Sequence, residues 1–503
     1  MSIMINALAG TGKTFTLIGG ARCSKGHFNK TCQPTLQQGA IWKRISLDPK
    51  VDNVCFVAFA KSACKEIKER MVHDLWCKIS TTHALGLETL KRHYAKREIF
   101  IAFDPAKIDK MISLAFNDQS IFTISRRHPG LVPAVKKLAS LCKYCLDWGL
   151  GINESNLVTL AIEYGIYYEQ LPYLAEITMK VVNLSKQHVK IVDFDDMLWL
   201  PVVLDIDIHQ YDLLVIDECQ DLNRTQQEFL IRSGKRFLLA GDRHQAIYGF
   251  RGADVRSMDT MKERLNQLGI CQEMPLTVSM RCSKAVVNEA KRIVPTFEAH
   301  HSNKDGEVNV AFDCLTAKQG DMILCRINAP LFDLAFELAE EGKSIEMLGK
   351  DVASTIISMI ESMKADDNNT LLKKVEAHRL SLLRKLVDIP NPKQANAVKI
   401  TIEDRCSCLR SIIRSTDTPD DAIRAIKKLF ADKTSAIRLS SVHQAKGLEA
   451  ENVFIIHPEL MPHPLAREQW QKDQEENIEY VAITRARETL TWVDGLDNQD
   501  YED

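Results

Sequence analysis

Short apolar runs alternate with helical periodicity along much of this chain. Runs of three to six mostly apolar residues, typical of buried strands, lie at residues 3–5, 54–59, 213–216, 236–240, 322–326, 436–439 and 453–456. Several of them lead through a short polar loop into a helical pattern, as residues 54–59 lead into residues 61–70. This alternation predicts an α/β fold with parallel sheets, in which ligands gather at the carboxyl ends of the strands.

Two blocks depart from this alternation and predict helical insertions. Residues 90–190 are dominated by helical periodicity, and in residues 351–430 Ile356, Met359, Ile360 and Met363 share one helix face. The glycines and prolines between residues 19 and 50 predict a loop-rich connection there. The sequence predicts a first α/β domain, residues 1–89 and 191–275, interrupted by a helical insertion at residues 90–190. It predicts a second α/β domain, residues 276–350 and 431–493, interrupted by a helical insertion at residues 351–430. Residues 494–503 form an acidic tail.

The strongest chemical pattern follows the first apolar run. Residues 7–14, Ala-Leu-Ala-Gly-Thr-Gly-Lys-Thr, predict a tight loop that opens a helix at Lys13. Gly10 and Gly12 can adopt positive φ, so that backbone N–H groups face an anion. Lys13 adds a charge for phosphates, and the Thr14 hydroxyl suits Mg²⁺. A complete phosphate loop has glycine where Ala7 stands, and a glycine-rich turn without a ligand is the alternative.

A second pattern follows the run at residues 213–216, where Asp217 and Glu218 come directly after the apolar residues. Carboxylates at a strand end are costly to bury unless they meet a cation. We therefore expect Asp217 to hold Mg²⁺ and Glu218 to accept the proton of the water that attacks a γ-phosphate. The alternative is a polar strand end that caps the next helix.

The run at residues 236–240 leads into a segment with an amide, aromatic rings and a guanidinium. Gln245 can sense a γ-phosphate, whereas Tyr248, Phe250 and Arg251 offer surfaces on which unpaired bases stack. Aromatic residues at this spacing also occur in ordinary cores. In the first insertion, basic residues either follow a nucleic-acid backbone or form a solvated helix face: Arg126, Arg127, Lys136, Lys137 and Lys143.

Composition adds limits rather than a function. The 503 residues are 45% hydrophobic and 26% charged, with a formal net charge of −2, so a polyanion must be held by a local groove. No apolar run approaches the ~18 residues of a membrane span, and the N-terminus lacks a charged signal region. The 14 scattered cysteines favour a reducing compartment, so we expect a cytoplasmic protein, of a bacterium or a phage-infected host.

Two cysteine groups offer partial metal-binding patterns. Cys142 and Cys145 form a C-x-x-C pair, and Cys23, His27 and Cys32 form a trio, but neither group has the four-ligand spacing of a structural zinc site.

Taken together, the motifs resemble the UvrD/Rep/PcrA-type DNA helicases of superfamily 1, and they occur in that family's order across nearly the whole chain. The segments that carry this resemblance are ALAGTGKT, VAFAKSACKEIKER, STTHALG, VDFDDML, LLVIDECQD, LLAGDRHQAIYGFRGA, LTVSMRCS, MILCRINAPL, SSVHQAKGLEAENVFII and EYVAITRAR. The resemblance implies two RecA-like domains, each with a helical insertion, and ATP bound in the cleft between them. It also implies 3′→5′ movement along single-stranded DNA.

The resemblance also implies roles for individual residues. Arg281 and Arg485 correspond to arginines that reach the nucleotide phosphates, the latter as an arginine finger, and Glu449 corresponds to a contact with the ribose. The nucleotide site then comprises Ala9, Gly10, Thr11, Gly12, Lys13, Thr14, Phe15, Arg281, Glu449 and Arg485, with Glu218 and Gln245 as catalytic residues and Mg²⁺ on Thr14 and Asp217. The DNA contacts comprise Phe59, Lys61, Thr82, His83, Phe194, Tyr248, Phe250, Arg251 and His443.

Three features depart from the family pattern. Only a handful of residues precede the phosphate loop, where the family has a glutamine that reads adenine, and Met280 stands where a tyrosine usually stacks on the base. Both insertions are short, as in a phage or accessory member, so we expect weaker unwinding.

The leading function is an ATP-driven helicase or translocase acting on single-stranded DNA and single-strand/duplex junctions. The alternative is a DNA-dependent ATPase subunit that regulates a nuclease, repair or defence partner. A small-molecule phosphate-loop kinase is less favoured, since it has no use for Gln245, Arg281 and Arg485.

Overall fold

The computed structural model describes residues 1–27, 33–74, 76–145, 152–164, 166, 168, 170–247, 256–385, 392–431, 433, 435–463 and 469–494. The chain divides into two compact units, Met1–Thr277 and Val278–Asp503. Each unit contains its own six-stranded sheet of the mixed α/β kind expected for RecA-like domains. The finer six-part division of the sequence stays a prediction.

The first unit is built on a parallel sheet whose strands lie in the order β3-β2-β6-β7-β1-β8. A separate parallel pair joins β4 to β5. In chain order the strands are β1 (Ser2–Ala7), β2 (Val54–Ala58), β3 (Cys77–Thr81), β4 (Ala102–Phe103), β5 (Ile191–Val192), β6 (Leu213–Ile216), β7 (Phe237–Gly241) and β8 (Cys271–Leu276).

The central strands are continuous apolar runs because helices cover both faces of the sheet. Every residue of β2, β6 and β7 is buried, whereas the edge strand β3 is half-buried throughout. The helices are α1 (Lys13–Lys25), α2 (Leu36–Ser46), α3 (Lys61–Arg70), α4 (Thr82–Ala95), α5 (Lys107–Ala115), α6 (Ile121–Arg127), α7 (Leu131–Cys145), α8 (Glu154–Glu163), α9 (Leu171–Gln187), α10 (Asp196–Val203), α11 (Arg224–Arg232) and α12 (Ser257–Leu268).

The helices between β4 and β5 form a subdomain with its own core. Residues of α5, α7, α8 and α9 pack together, with Leu138, Leu174 and Val181 fully buried among them. The α10 side chains Trp199 and Leu200 join the same core, which connects the subdomain to the sheet.

The loop-rich connection predicted for residues 19–50 is wrong. Helix α1 continues to Lys25, and α2 follows with a capping box between Thr35 and Gln38. Gly19 and Gly20 serve close packing within α1, since a Cβ at Gly19 would lie 2.1 Å from the Trp42 ring, whereas Gly26 ends the helix with a positive φ of 78°.

The second unit contains a parallel sheet in the order β11-β16-β15-β12-β14-β13, and a short parallel pair of β9 and β10. Its strands are β9 (Val278–Ser279), β10 (Glu298–Ala299), β11 (Glu307–Ala311), β12 (Met322–Cys325), β13 (Ile345–Met347), β14 (Ile437–Ser441), β15 (Ala450–Ile456) and β16 (Ala486–Val493). Its helices are α13 (Lys284–Ala290), α14 (Ala329–Glu340), α15 (Lys350–Met363), α16 (Asn368–Lys385), α17 (Pro392–Arg414), α18 (Pro419–Leu429) and α19 (Gln469–Ile483).

Helices α15 to α18 carry the periodicity expected between residues 351 and 430. Ile356 and Ile360 are buried in one core with Leu409 of α17 and Ile426 of α18. Helix α18 begins where predicted, with the Thr418 hydroxyl accepting a hydrogen bond from Asp421 N. Among the described residues, no helix is both long and apolar enough to cross a membrane.

Candidate functional site

The loop after β1 has the conformation that its sequence predicts. Gly10 and Gly12 adopt positive φ angles of 68° and 81°, and α1 begins at Lys13. No side chain caps the N-terminus of α1. Since the first N–H groups of a helix lack partners within the helix, this end offers donors and a partial positive charge to an anion.

A second loop begins where β6 ends. The backbone N–H of Asp217 still donates to Val57 O of the neighbouring strand, over 3.2 Å. Glu218 then adopts the left-handed region, with φ 55° and ψ 44°. This conformation is unfavourable for a residue with a Cβ and is retained mainly where function or surrounding structure requires it.

The two loops meet through their polar side chains. Lys13 Nζ lies 2.7 Å from Glu218 Oε2, and the Thr14 hydroxyl donates to Asp217 Oδ2 over 2.7 Å. The sequence separates these partners by about two hundred residues, and the order of the strands in the sheet brings them together. The structure therefore places the four predicted residues in one cluster at the carboxyl edge of the sheet.

The cluster contains more negative than positive charge. Burial and the nearby Glu218 charge raise the pKa of Asp217 to about 6. Burial alone would lower the pKa of Lys13, but the charges of Glu218, Asp217 and Asp242 outweigh it and raise that pKa. Burial also raises the pKa of Asp242. One lysine beside three carboxylates leaves an excess of negative charge, which a divalent cation would neutralise.

The oxygen donors fit Mg²⁺. Thr14 supplies a hydroxyl and Asp217 a carboxylate, and Mg²⁺ commonly takes only one or two protein ligands beside substrate phosphates and water. Within the described ranges, no group of three or more His, Cys, Asp or Glu side chains is arranged to hold a metal by itself. Burial raises the pKa of the Cys23 thiol to about 11 and that of Cys142 to about 12, which disfavours metal-binding thiolates there.

Two residues without a predicted role complete this cluster. Gln220 donates to Glu218 Oε2 over 2.6 Å and accepts from Asp242 N over 3.1 Å. Asp242, fully buried after β7, accepts from the side chain of Gln245 over 2.8 Å. A hydrogen-bonded chain therefore runs from Glu218 to Gln245. Asp242 follows an apolar strand as Asp217 does, and this repeated pattern is the sequence signal that could have predicted Asp242 as part of the site.

The remaining loop residues are held by α1 and α2. Phe15 is half-buried with its ring centroid 5.5 Å from that of Trp42. The Thr11 hydroxyl donates to Leu8 O over 2.8 Å, and Gln38 donates to Thr11 O over 3.4 Å. Ala9 is buried in the same loop. These contacts fix the loop conformation from its outer side.

In the second unit, the structure brings the three predicted nucleotide-site residues together. Arg281 donates to Glu449 Oε2 over 2.9 Å and to Thr484 O over 3.3 Å. Arg485 donates to Leu448 O over 3.0 Å and to Val481 O over 2.9 Å. Arg281 thus contacts Thr484, the residue before Arg485, and Arg485 contacts Leu448, the residue before Glu449.

The two guanidinium groups differ in their surroundings. Arg485 is 1% exposed, and burial together with the charge of Arg281 lowers its pKa to about 10, so that it stays protonated at neutral pH. Arg281 Nε is a buried donor without a hydrogen-bond partner among the described residues. A phosphate oxygen is the kind of acceptor that would satisfy this donor.

Four of the predicted DNA contacts described in the first unit follow the carboxyl ends of β2 and β3, and a fifth follows β5. Phe59 is 48% exposed and Lys61 is exposed at the start of α3. His83 is half-buried in the first turn of α4, but Thr82 beside it is only 2% exposed. Phe194, between β5 and α10, is 55% exposed.

Three predicted DNA contacts, Tyr248, Phe250 and Arg251, lie outside the described residues. His443 is half-buried in the loop after β14 of the second unit.

Of the basic residues in the first insertion, Lys143 does not follow either predicted pattern. Lys143 is 1% exposed and contacts Asp196 Oδ1 over 2.8 Å, so it is neither a backbone contact nor part of a solvated face. Lys136 pairs with Asp109 over 2.5 Å, whereas Arg126, Arg127 and Lys137 are exposed.

Comparison with known proteins gives two family matches that together cover most of the chain. Residues 1–266 match the UvrD/REP helicase N-terminal domain family, and residues 278–493 match the UvrD-like helicase C-terminal domain family. The chain is 28% identical to the ATP-dependent DNA helicase Rep of Buchnera aphidicola, over 52% of this chain and 36% of Rep. It is 22% identical to the ATP-dependent DNA helicase PcrA of Staphylococcus aureus, over 87% of this chain and 76% of PcrA.

Solved structures give a weaker likeness. A complex of arterivirus nonstructural protein 10, a helicase, with DNA is 10% identical, with a TM-score of 0.35 over 99% of this chain and 62% of that chain. A TM-score this low supports no inference about the site.

Proposed function

Since this chain belongs to the UvrD/Rep helicase family, we propose that it is an ATP-dependent DNA helicase or translocase that moves 3′→5′ along single-stranded DNA. Its substrates would be ATP and single-stranded DNA, including single-strand/duplex junctions. The observation that carries the proposal is the junction of two loops, in which Lys13 meets Glu218 and Thr14 meets Asp217.

Each side chain of that junction has a task that its chemistry supports. Lys13 and the N-terminus of α1 would bind the β- and γ-phosphates, while Thr14 and Asp217 would hold Mg²⁺, which screens phosphate charge when bound. Glu218 would exchange its contact with Lys13 for a water molecule and accept a proton from it. Its left-handed backbone sets the direction in which the side chain leaves the loop, while Lys13 and Gln220 hold the carboxylate until the substrate binds.

The chain from Gln220 through Asp242 offers a route to Gln245. A γ-phosphate that rearranges Glu218 would alter the hydrogen bond that Gln220 donates to it, and Gln220 also accepts from Asp242 N. Because Asp242 accepts a hydrogen bond from Gln245, loss of the γ-phosphate would change the position of Gln245 and of the segment that follows it. This is the segment in which the sequence predicts DNA contacts.

Arg281 and Arg485 would supply positive charge to the same nucleotide, with Glu449 on its ribose. The carbonyl oxygens around Arg485 hold its guanidinium without neutralising it, so its charge stays available to stabilise a transition state. Met280, 48% exposed beside Arg281, would give the base an apolar contact without stacking. We therefore expect weaker selection among nucleoside triphosphates than an aromatic residue would give.

A strand-displacement assay tests this proposal. Duplexes with a 3′ tail, a 5′ tail or blunt ends are incubated with the chain and ATP, GTP, CTP or UTP. The proposal predicts ATP-dependent separation of the 3′-tailed duplex in preference to the other two. Separation of only the 5′-tailed duplex would contradict the polarity. DNA-stimulated ATP hydrolysis without separation of any duplex would instead favour the regulatory-subunit alternative.

A further inference from the structure

Two phenyl rings that come from different segments meet on the surface of the first unit. The ring centroids of Phe103 and Phe194 lie 4.8 Å apart with an interplanar angle of 69°, and His83 lies 6.2 Å from Phe194 at 84°. Phe103 is 44% exposed and Phe194 is 55% exposed. The pair thus leaves much of its apolar surface in water, which costs free energy unless a ligand covers it.

The backbone fixes Phe103 in this position. Strands β4 and β5 pair in parallel, with Phe103 opposite Val192, and Asp104 N donates to Val192 O over 2.9 Å. Val192 is two residues before Phe194, so the strand pairing places the Phe103 ring next to the Phe194 ring. Asp104 then accepts from Ala106 N over 2.9 Å, which fixes the turn into α5.

Aspartates on both sides of Phe194 anchor its loop to the insertion. Its neighbours Asp193, Asp195 and Asp196 all turn towards the helices of the insertion, and Phe194 between them is exposed. Asp196 is fully buried and contacts Lys107 over 2.5 Å and Lys143 over 2.8 Å.

Further bonds tie the same loop to α7. Ser140 donates to Asp195 Oδ2 over 2.6 Å, and the Tyr144 hydroxyl donates to the other carboxylate oxygen. Asp196 N donates to Asp193 Oδ1 over 2.8 Å. A loop held by this many buried polar bonds presents its exposed ring in one orientation, so little conformational entropy is lost when a flat ligand covers it.

We infer that Phe103 joins Phe194 and His83 in a stacking site for the unpaired bases of single-stranded DNA. This inference rests on the proposed function and adds to it a residue of the insertion, Phe103, that no motif assigns. Base–aromatic stacking tolerates any sequence because every base has a flat face. Burial lowers the pKa of His83, so this ring is neutral at physiological pH and contributes as a flat surface rather than as a cation.

The position of the site favours a nucleic-acid strand over a protein partner. The register of β2 and β3 places Ala58 opposite Thr81, so exposed Phe59 and half-buried His83 follow neighbouring strands at one edge. The aromatic residues therefore continue from the sheet edge to the insertion. A series of flat side chains at the edge that also holds the phosphate loop suits successive bases of one strand.

The test compares variants of the full chain in their affinity for a fluorescent dT oligonucleotide, measured by anisotropy. Phe103→Ala removes the ring, Phe103→Leu keeps apolar bulk without a flat face, and Phe103→Tyr keeps the face. Phe122→Ala is the matched control, because Phe122 is 77% exposed on α6 of the same insertion and belongs to no ring pair among the described residues. Circular dichroism verifies that each variant is folded.

Loss of one base stack weakens binding at least about fivefold. We expect this loss for Phe103→Ala and Phe103→Leu, and affinity within about twofold of the parent for Phe103→Tyr and Phe122→Ala. An oligonucleotide with consecutive abasic positions should bind all variants equally, because it has no bases to stack there. Equal dT affinity of Phe103→Ala and Phe122→Ala, or parental affinity of Phe103→Leu, would overturn the inference.

The outcomes separate this inference from the function on which it rests. If the parent chain binds dT and DNA stimulates its ATP hydrolysis while Phe103→Ala behaves like the control, the inference fails and the helicase proposal stands. If the parent chain binds no single-stranded DNA, both fail.

Discussion

Replacing Asp217 with asparagine should stabilise the protein in the absence of nucleotide and at the same time abolish ATP hydrolysis. Asp217 is 8% exposed and lies beside Glu218, and these surroundings raise its pKa from an ordinary 3.8 to about 6. An ionised carboxylate therefore costs folding free energy at neutral pH. Asparagine has the same shape and carries no charge: its oxygen can still accept from Glu218 N, and its amide can donate to the Thr14 hydroxyl, which would then act as the acceptor.

The size of the effect follows from the shift in pKa. A difference of about two units corresponds to about 3 kcal/mol of unfolding free energy. Because the asparagine amide needs partners of its own, we expect a gain between about 1 and 3 kcal/mol at pH 7.5. A carboxyl group whose pKa is raised on folding contributes stability that is present below pH 3.8 and is lost as the pH rises through about 6.

Urea unfolding of the full chain, followed by circular dichroism between pH 4.5 and 7.5, measures this difference. The free energy of Asp217→Asn minus that of the parent should rise by about 1.4 kcal/mol per pH unit up to about pH 6 and then level off. Asp52→Asn is the matched control, since the Asp52 side chain is fully exposed. A difference that is negative at pH 7.5, or that does not change between pH 4.5 and 6, would refute this reasoning.

Two further predictions concern the phosphates. Lys13→Ala should abolish ATP turnover and leave the affinity for a dT oligonucleotide within about threefold of the parent. The reason is that Lys13 contacts the carboxylate cluster and no predicted DNA contact. Normal turnover by this variant would contradict the assignment of the nucleotide site. Arg485→Ala should lower kcat about a thousandfold or more while nucleotide affinity changes less than about fivefold, measured by steady-state kinetics and equilibrium titration. Arg485→Lys, which keeps the charge but not the planar fork, should recover only part of kcat, and a pure loss of affinity would exclude a finger.

Much of the first site could be predicted from the sequence because its signals are local. Glycines at positions 10 and 12 permit the positive φ that the loop adopts, and carboxylates directly after a buried apolar run are costly unless a cation is near them. The pairing of Lys13 with Glu218 then follows from strands that end at the same sheet edge.

Other features depend on tertiary packing that no local pattern contains. Gly19 reads as a turn residue, yet it lies inside α1 because the Trp42 ring occupies the space of a side chain. Lys143 lies four residues after buried Ala139 on α7, and its burial depends on its ion pairs with Asp193 and Asp196 and on its contact with the Trp199 ring.

The aromatic contact of Phe103 with Phe194 depends on the pairing of β4 and β5. The two strands are two residues long and about ninety residues apart in the chain. Strands this short leave almost no periodicity in the sequence, so their register cannot be read from it.

We propose that Glu218 serves as the base of an ATP hydrolysis centre that DNA activates. The most direct measurement is ATP turnover by the parent chain and by Glu218→Gln, with and without single-stranded DNA, together with equilibrium ATP binding. We predict that DNA raises parental turnover at least about tenfold, and that Glu218→Gln binds ATP and DNA but loses turnover in both conditions. DNA-stimulated turnover by Glu218→Gln equal to that of the parent would contradict the claim.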